Sequence, residues 1–255
     1  RAGLASGEIS VRFQPVVRLL DGRPILVEAL ARWRGRGGAI GPEAFVPLAE
    51  RSGLARALAF TVASQAAAEL GGLPRPLGLG VTVNLSLPQL LKPDLAAWLR
   101  RATAGTGLRS AQVTLELTET VPVRDRALLR RALLRLRWAG HGVLLDDLLM
   151  GDARARLLAL PFAGFKLDRS LVEALPRNAR ARREVQRLVR GAARRGQLVI
   201  AEGISDRRLW AAVQGLGVTA AQGFAVGRPL PSAALLAWRA GWRSGRNRRA
   251  GRARA

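Results

Sequence analysis

Gly142-Val143-Leu144-Leu145-Asp146-Asp147 and Gly164-Phe165-Lys166-Leu167-Asp168 are two short apolar runs, each ending on charge. Runs of this length, opened by glycine and closed by acids, read as buried β-strands. Working outward, six more runs have the same form, at 11–19, 25–33, 79–85, 112–117, 197–201 and 219–222, which makes eight strand candidates. Amphipathic stretches with apolar residues near helical spacing lie between them, at 54–70, 88–104, 124–139, 178–195 and 206–215. Such alternation predicts an α/β fold with a mostly parallel sheet and outer helices. Eight strands suit a closed TIM-like (β/α)8 barrel, whose interior wants branched residues such as Val81, Val83, Val113, Leu115, Val143 and Ile200. The competing open, doubly wound sheet usually carries a Gly-rich phosphate turn after its first strand, whereas Asp21-Gly22-Arg23 reads only as a hairpin turn.

With 255 residues and 49% hydrophobic content, one barrel over 1–240 is expected. The Arg-rich stretch 241–255, with Gly and Ser among its arginines, reads as a disordered tail. No run of eighteen apolar residues and no signal-peptide pattern is visible. The chain opens on Arg1 and its single methionine is Met150, so it reads as a segment excised from a longer polypeptide. The absence of Cys excludes disulfides and thiolate metal sites, and a lone His141 argues against a His-rich zinc or copper site. A net charge of +24 attracts anions, but the arginines are scattered along helices and form no recognised nucleic-acid module. Specific nucleic-acid binding is therefore not expected. Of 42 basic residues only Lys92 and Lys166 are lysines, which marks Lys166 as a lysine kept for its chemistry.

Seven of the eighteen acids, Glu28, Glu116, Glu119, Asp146, Asp147, Asp168 and Glu202, stand at or just past the ends of strand-like runs. In a barrel, strand C-termini converge on one face, where active sites are built. Glu28, Asn84, Glu116, Asp146 with Asp147, Lys166, Glu202 and Gln222 would meet there. Asn84 and Asp168 each have a plainer reading as a helix cap, and Glu119 as a solvated turn residue. Carboxylates gathered within a few ångströms repel unless a cation compensates them, and carboxylate and amide oxygens suit Mg2+ or Mn2+. Two such ions bridged by a shared Asp would make a phosphodiester-hydrolysing site.

Phe13-Gln14-Pro15, Glu28-Ala29-Leu30, Ala31-Arg32-Trp33, Val83-Asn84-Leu85-Ser86, Leu115-Glu116-Leu117-Thr118-Glu119, Asp146-Asp147, Phe165-Lys166-Leu167-Asp168, Ala201-Glu202-Gly203 and Gln222-Gly223 follow one another in an order that resembles the EAL-domain phosphodiesterases. These enzymes linearise cyclic di-GMP, and the resemblance runs from about Phe13 to Trp238. It implies a barrel whose first strand is antiparallel to the rest, and hydrolysis of cyclic di-GMP to pGpG. Glu28, Asn84, Glu116 and Asp146 are similar to ligands of a first ion, and Asp146, Asp147 and Glu202 to ligands of a second. Catalytic roles are implied for Glu28, Lys166, Asp147 and Glu202, with Lys166 holding or polarising the attacking water. Gln14, Leu30, Arg32, Asp168, Gln222 and Pro229 resemble substrate-contacting positions, and Glu119 resembles the acid that braces the loop after the paired aspartates. The cofactor implied is Mg2+ or Mn2+, two ions, with Ca2+ inhibitory. A homodimer, GGDEF or sensory domains elsewhere in the parent chain, and a cytoplasmic domain on a parent that can be membrane-anchored complete the expectation.

One departure from the family pattern bears on activity. After the paired aspartates the family usually continues Phe-Gly-Thr-Gly-Tyr-Ser-Ser, whereas this chain reads Leu148-Leu149-Met150-Gly151-Asp152-Ala153-Arg154. Leu149 removes a permissive backbone position and Met150 a hydroxyl. Ser205 also stands at a commonly acidic position. The alternative function is therefore a cyclic di-GMP receptor or protein-contact module with weak or lost catalysis.

Overall fold

The computed structural model describes residues 4, 7–35, 37–74, 77–118 and 122–242. Glu119 and residues 243–255 lie outside the described residues. Strand β1 (Ile9–Arg18) turns at Gly22, whose φ of 59° suits glycine, and pairs antiparallel with β2 (Pro24–Gly35). Asp21 holds the turn by accepting from the Arg23 amide and the Arg18 guanidinium. The short β3 (Gly38–Ile40) folds back on β2 outside the barrel. Thereafter β4 (Gly80–Ser86), β5 (Val113–Thr118), β6 (Gly142–Leu148), β7 (Gly164–Leu167), β8 (Leu198–Ala201) and β9 (Ala220–Gln222) follow in parallel. β4 lies parallel to β2, and β9 closes antiparallel onto β1. The result is the expected eight-stranded barrel with its first strand reversed.

The outer layer contains α1 (Pro42–Arg51), α2 (Ala55–Gly71), α3 (Leu87–Leu90), α4 (Leu95–Thr103), α5 (Arg126–Trp138), α6 (Arg169–Ala174), α7 (Ala179–Arg195) and α8 (Arg207–Gly215). Local chemistry sets their ends. Asp125, Asn178 and Asp206 accept amide hydrogen bonds at the starts of α5, α7 and α8, and Gly196 ends α7 in the left-handed conformation. The stretch 88–104, expected as one helix, is two, because Pro93 supplies no amide hydrogen and disfavours helical backbone at Lys92. Among the described residues no helix is long and apolar enough to cross a membrane.

The core corrects the expected barrel filling. Val81, Val83, Val113, Leu115 and Val143 belong to the large apolar cluster that also contains the buried helix residues. A separate small cluster of Val16, Leu144, Ile200 and Ala220 fills the barrel interior. Strand side chains alternate, so the face that carries Thr82, Asn84 and Glu116 cannot also carry Val81, Val83 and Leu115. At the C-terminal side residues 235–242 are helical, Trp242 stacks on Trp238 with ring centroids 6.1 Å apart, and its indole donates to Gly22 O at 2.7 Å.

Candidate active site at the C-terminal mouth of the barrel

Glu28, Asn84, Glu116, Asp146, Lys166 and Gln222 lie on neighbouring barrel strands, with Glu202 just past the end of β8. Asn84 pairs in register with Glu116 across β4 and β5, and Gln14 with Glu28 across β1 and β2. Beneath them the small inner cluster of Val16, Leu144, Ile200 and Ala220 excludes water from the barrel floor. Lys166 stands at the centre, fully buried, with Nζ at 2.5 Å from Glu202, 3.0 Å from Glu116, 3.2 Å from Asp146 and 3.3 Å from Glu28. Glu28 is further held by Asn84 Nδ2, which donates to Oε1 at 2.9 Å, and by Gln222 Nε2, which donates to Oε2 at 2.6 Å. Gln222 Nε2 also reaches Gln14 Oε1 at 3.2 Å, and Gln14 donates to Gly227 O.

One ammonium faces four carboxylates, so the cluster is short of positive charge. The titration of its members records the imbalance. Burial opposes ionisation of Glu28, but Lys166 and the Gln222 and Asn84 donors outweigh it and hold Glu28 below the usual carboxylate range. Burial and then the charge of Glu28 push Glu116 well above that range. Burial likewise lifts Asp146 to about 6 and Glu202 to about 8. Lys166 moves upward despite its burial, because Glu116, Glu28, Asp146 and Glu202 all favour its proton.

The donor set fits hard divalent cations. Among the described residues Glu116 Oε1 is buried without a hydrogen-bond donor, and Asp146 Oδ1, 3.2 Å from Lys166 Nζ, is buried without a well-directed hydrogen bond. Buried polar atoms left unsatisfied in this way are costly unless something else coordinates them. Asp146, Asp147 and Glu202 offer oxygens that all lie within 4.8 Å of one another, a group that can hold a metal ion. Asp147 takes the left-handed conformation, φ 51°, alone among the described non-glycine residues, and such strain concentrates at functional sites.

Other expected residues lie around this centre. Leu30 and Arg32 line a cleft of about 360 Å³ that includes Asn84 and is walled by Pro42, Val46 and Leu58. Pro229 sits beside Leu230, whose amide and carbonyl both pair with Phe13 on β1. Asp168 accepts from the Ser170 amide at 2.7 Å and from its hydroxyl, so its carboxylate caps α6 as the plainer reading had it. His141 is buried with Nδ1 3.1 Å from Val113 O and has no place in the site.

Sequence reasoning missed the anchoring of the loop after the paired aspartates. Leu148 is the buried last residue of β6, Leu149 and Met150 are exposed, and positive φ falls at Asp147 and Gly151 instead of at Leu149. The Gly151 amide donates to Glu184 on α7 at 2.9 Å, and Asp152 caps a 3-10 turn at 153–159. Nothing in the spacing of Asp152, Arg154 and Glu184 announces these contacts.

A TIM-like barrel with a lysine-centred acidic cluster at its strand C-termini defines the class. The EAL domain family model matches residues 1–229, and the chain belongs to the EAL domain family. An uncharacterized signaling protein of Caulobacter vibrioides is 35% identical over 93% of this chain and 29% of its own length. A cyclic di-GMP phosphodiesterase of Pseudomonas aeruginosa is 31% identical over 89% of this chain and 39% of its own length. The solved PaMucR phosphodiesterase in complex with c-di-GMP superposes with a TM-score of 0.82 at 29% identity, over 92% of this chain and 97% of that one. The chain thus spans well under half the length of these two curated relatives.

Proposed function

We propose that this chain is a metal-dependent phosphodiesterase that hydrolyses cyclic di-GMP to linear pGpG. The observation that carries the reading is Lys166 buried among Glu28, Glu116, Asp146 and Glu202, with carboxylate oxygens left over for cations. Glu28, Asn84, Glu116 and Asp146 would hold one ion, and Asp146, Asp147 and Glu202 a second. Bound there, Mg2+ or Mn2+ supplies Lewis-acid stabilisation of phosphoryl charge. Ca2+ wants more ligands at longer distances and is expected to support binding but to inhibit turnover.

The chain's own groups divide the remaining work. Lys166, whose proton the surrounding acids retain, orients the attacking water and donates toward charge developing on the phosphoryl oxygens. Asp147 and Glu202 stand on the more open side and take the proton that the water releases as its oxygen bonds to phosphorus. One P–O ester bond then breaks, and its oxygen leaves as the hydroxyl of pGpG after taking up a proton from solvent, to which the acids return the one they accepted. Arg32 presents a two-pronged donor suited to the second phosphate, while Leu30, Gln14, Gln222, Asp168 and Pro229 contact the nucleotide. A homodimer, GGDEF or sensory domains in the parent chain and a cytoplasmic setting belong to the same reading.

The test is pGpG formation from cyclic di-GMP with Mg2+ or Mn2+, followed by chromatography, beside ligand affinity in Ca2+. Glu28→Ala is expected to lower kcat by about 10²–10³-fold. Product formed equally by Glu28→Ala would reject the site, and tight ligand binding without product would favour the receptor reading.

That second reading has one specific support, the exposed Leu149 and Met150 in a loop that differs from the family pattern. Leu148 is fully buried, where a larger ring would have to displace its neighbours, so the restoring variant keeps it and changes Leu149→Gly with Met150→Thr. For an active enzyme this pair is expected to change kcat less than about threefold, since surface substitutions away from the core are energetically small. A gain of tenfold or more would mark the loop as the cause of lost catalysis.

A further inference from the structure

Arg154 joins the two aspartates at the mouth through their backbone rather than their carboxylates. Its Nη1 donates to Asp146 O at 3.2 Å and its Nη2 to Asp147 O at 2.5 Å. Its Nε donates to Asp152 Oδ2 at 2.9 Å and Oδ1 at 3.2 Å, and Asp152 Oδ1 also accepts the Arg154 amide at 2.7 Å. The guanidinium is therefore fixed from behind by a nearly buried carboxylate while it grips two consecutive carbonyls in front. Those carbonyls flank the left-handed backbone of Asp147, which by itself is disfavoured for a residue with a β-carbon.

We infer that Arg154 is a positioning residue that locks the Asp146-Asp147 turn so that both carboxylates face the cation site, taking over a bracing task that Leu149 and Met150 cannot perform. The metal part of this inference rests on the proposed phosphodiesterase reading; the turn-locking part does not. A guanidinium suits the task because its rigid fork spans two acceptors at once, whereas an ammonium serves one. Asp152 is its orienting partner, and Glu184 ties the same loop to α7 through the Gly151 amide.

The test uses the whole chain with Arg154→Ala, Arg154→Lys and, as a control, the exposed Arg156→Ala. Amide hydrogen exchange in metal-free protein is read over residues 146–152, then Mn2+ affinity by electron paramagnetic resonance, then kcat and KM for cyclic di-GMP. In Arg154→Ala, exchange in 146–152 is expected to quicken about tenfold while β4 and β5 keep their protection. The Mn2+ dissociation constant should rise and kcat fall by about tenfold or more, with KM changed less than about twofold, the size seen when groups orienting metal ligands are removed. Arg154→Lys should fall between, and Arg156→Ala should match the wild type. Unchanged exchange in Arg154→Ala, or faster exchange with unaltered Mn2+ affinity, would overturn the inference. A wild type that binds Mn2+ but forms no pGpG would sink the hydrolysis reading alone, because exchange and Mn2+ binding require no substrate.

Discussion

Lys166→Met is expected to abolish most turnover and to make metal-free stability steeply dependent on pH. Among the described residues Lys166 is the only cation paired with these four carboxylates, and removing one partner of a buried charge pair costs about 3–5 kcal/mol because the other stays uncompensated. At pH 5 the raised acids Glu116, Asp146 and Glu202 can take up protons and relieve the repulsion, so the loss should shrink there. At pH 8 it should be near its full size. Lys166 itself stays charged throughout this range, since its proton is held more tightly than in a free lysine. Urea unfolding at both pH values, with and without Mn2+, reads these contributions separately. Mn2+ should restore much of the stability but not the kcat, which falls by about 10²–10³-fold when a donor to developing charge is lost. Equal destabilisation at pH 5 and pH 8 would contradict the electrostatic account of the cluster.

Glu202→Gln should be more stable than the wild type at pH 8 when no metal is bound, and the advantage should vanish near pH 4.5. The sign follows from linkage. Glu202 is lifted by burial from 4.5 to about 8, so between those values the folded protein keeps a proton that the unfolded chain has released. Wild-type stability therefore falls as pH rises through this window, and an amide that cannot ionise removes the decline. The gain is on the order of 1–3 kcal/mol, since each tenfold difference in proton affinity between the folded and unfolded chain corresponds to about 1.4 kcal/mol and coupling spreads the effect over several groups. Glu28 runs the other way: its lowered value contributes stability above the unfolded value that is lost as pH falls below it. With saturating Mn2+ the order of the two proteins should invert, because the ionised Glu202 then has a cation to face. Denaturant midpoints at several pH values, with and without Mn2+, decide this; a variant that loses stability at pH 8 in metal-free buffer would show that Glu202 is held by geometry rather than strained by charge.

The barrel and the convergence of its polar strand residues were legible because their signals are local and repeated. Each strand is a short apolar run closed by a polar residue, and parallel packing brings all such ends to one face, so Glu28, Asn84, Glu116, Asp146, Lys166 and Gln222 could be placed before any contact was known. The reversed first strand was implied by the family resemblance, and the hairpin turn at Asp21-Gly22 agrees with it. Residue faces were less legible. An apolar run does not say which of its alternate positions points inward, and Val81, Val83 and Leu115 went to the helix side because the polar set took the other parity. The split at Pro93 and the helical placement of Trp242 show the same limit at element boundaries, where one proline or one indole hydrogen bond decides.

By itself the sequence determined the eight-strand alternation, the strand ends that carry acids, and the one lysine that could balance them. These depend on residue type and short-range spacing, which the chain displays directly. Only the tertiary structure decided that one ammonium would face four carboxylates across as many as 138 residues of separation, that one oxygen of Asp168 would cap α6, and that Arg154 would grip the carbonyls of Asp146 and Asp147. Such contacts depend on distances and directions in space, because charge balance and hydrogen-bond geometry are set by neighbours that only the closed barrel brings together.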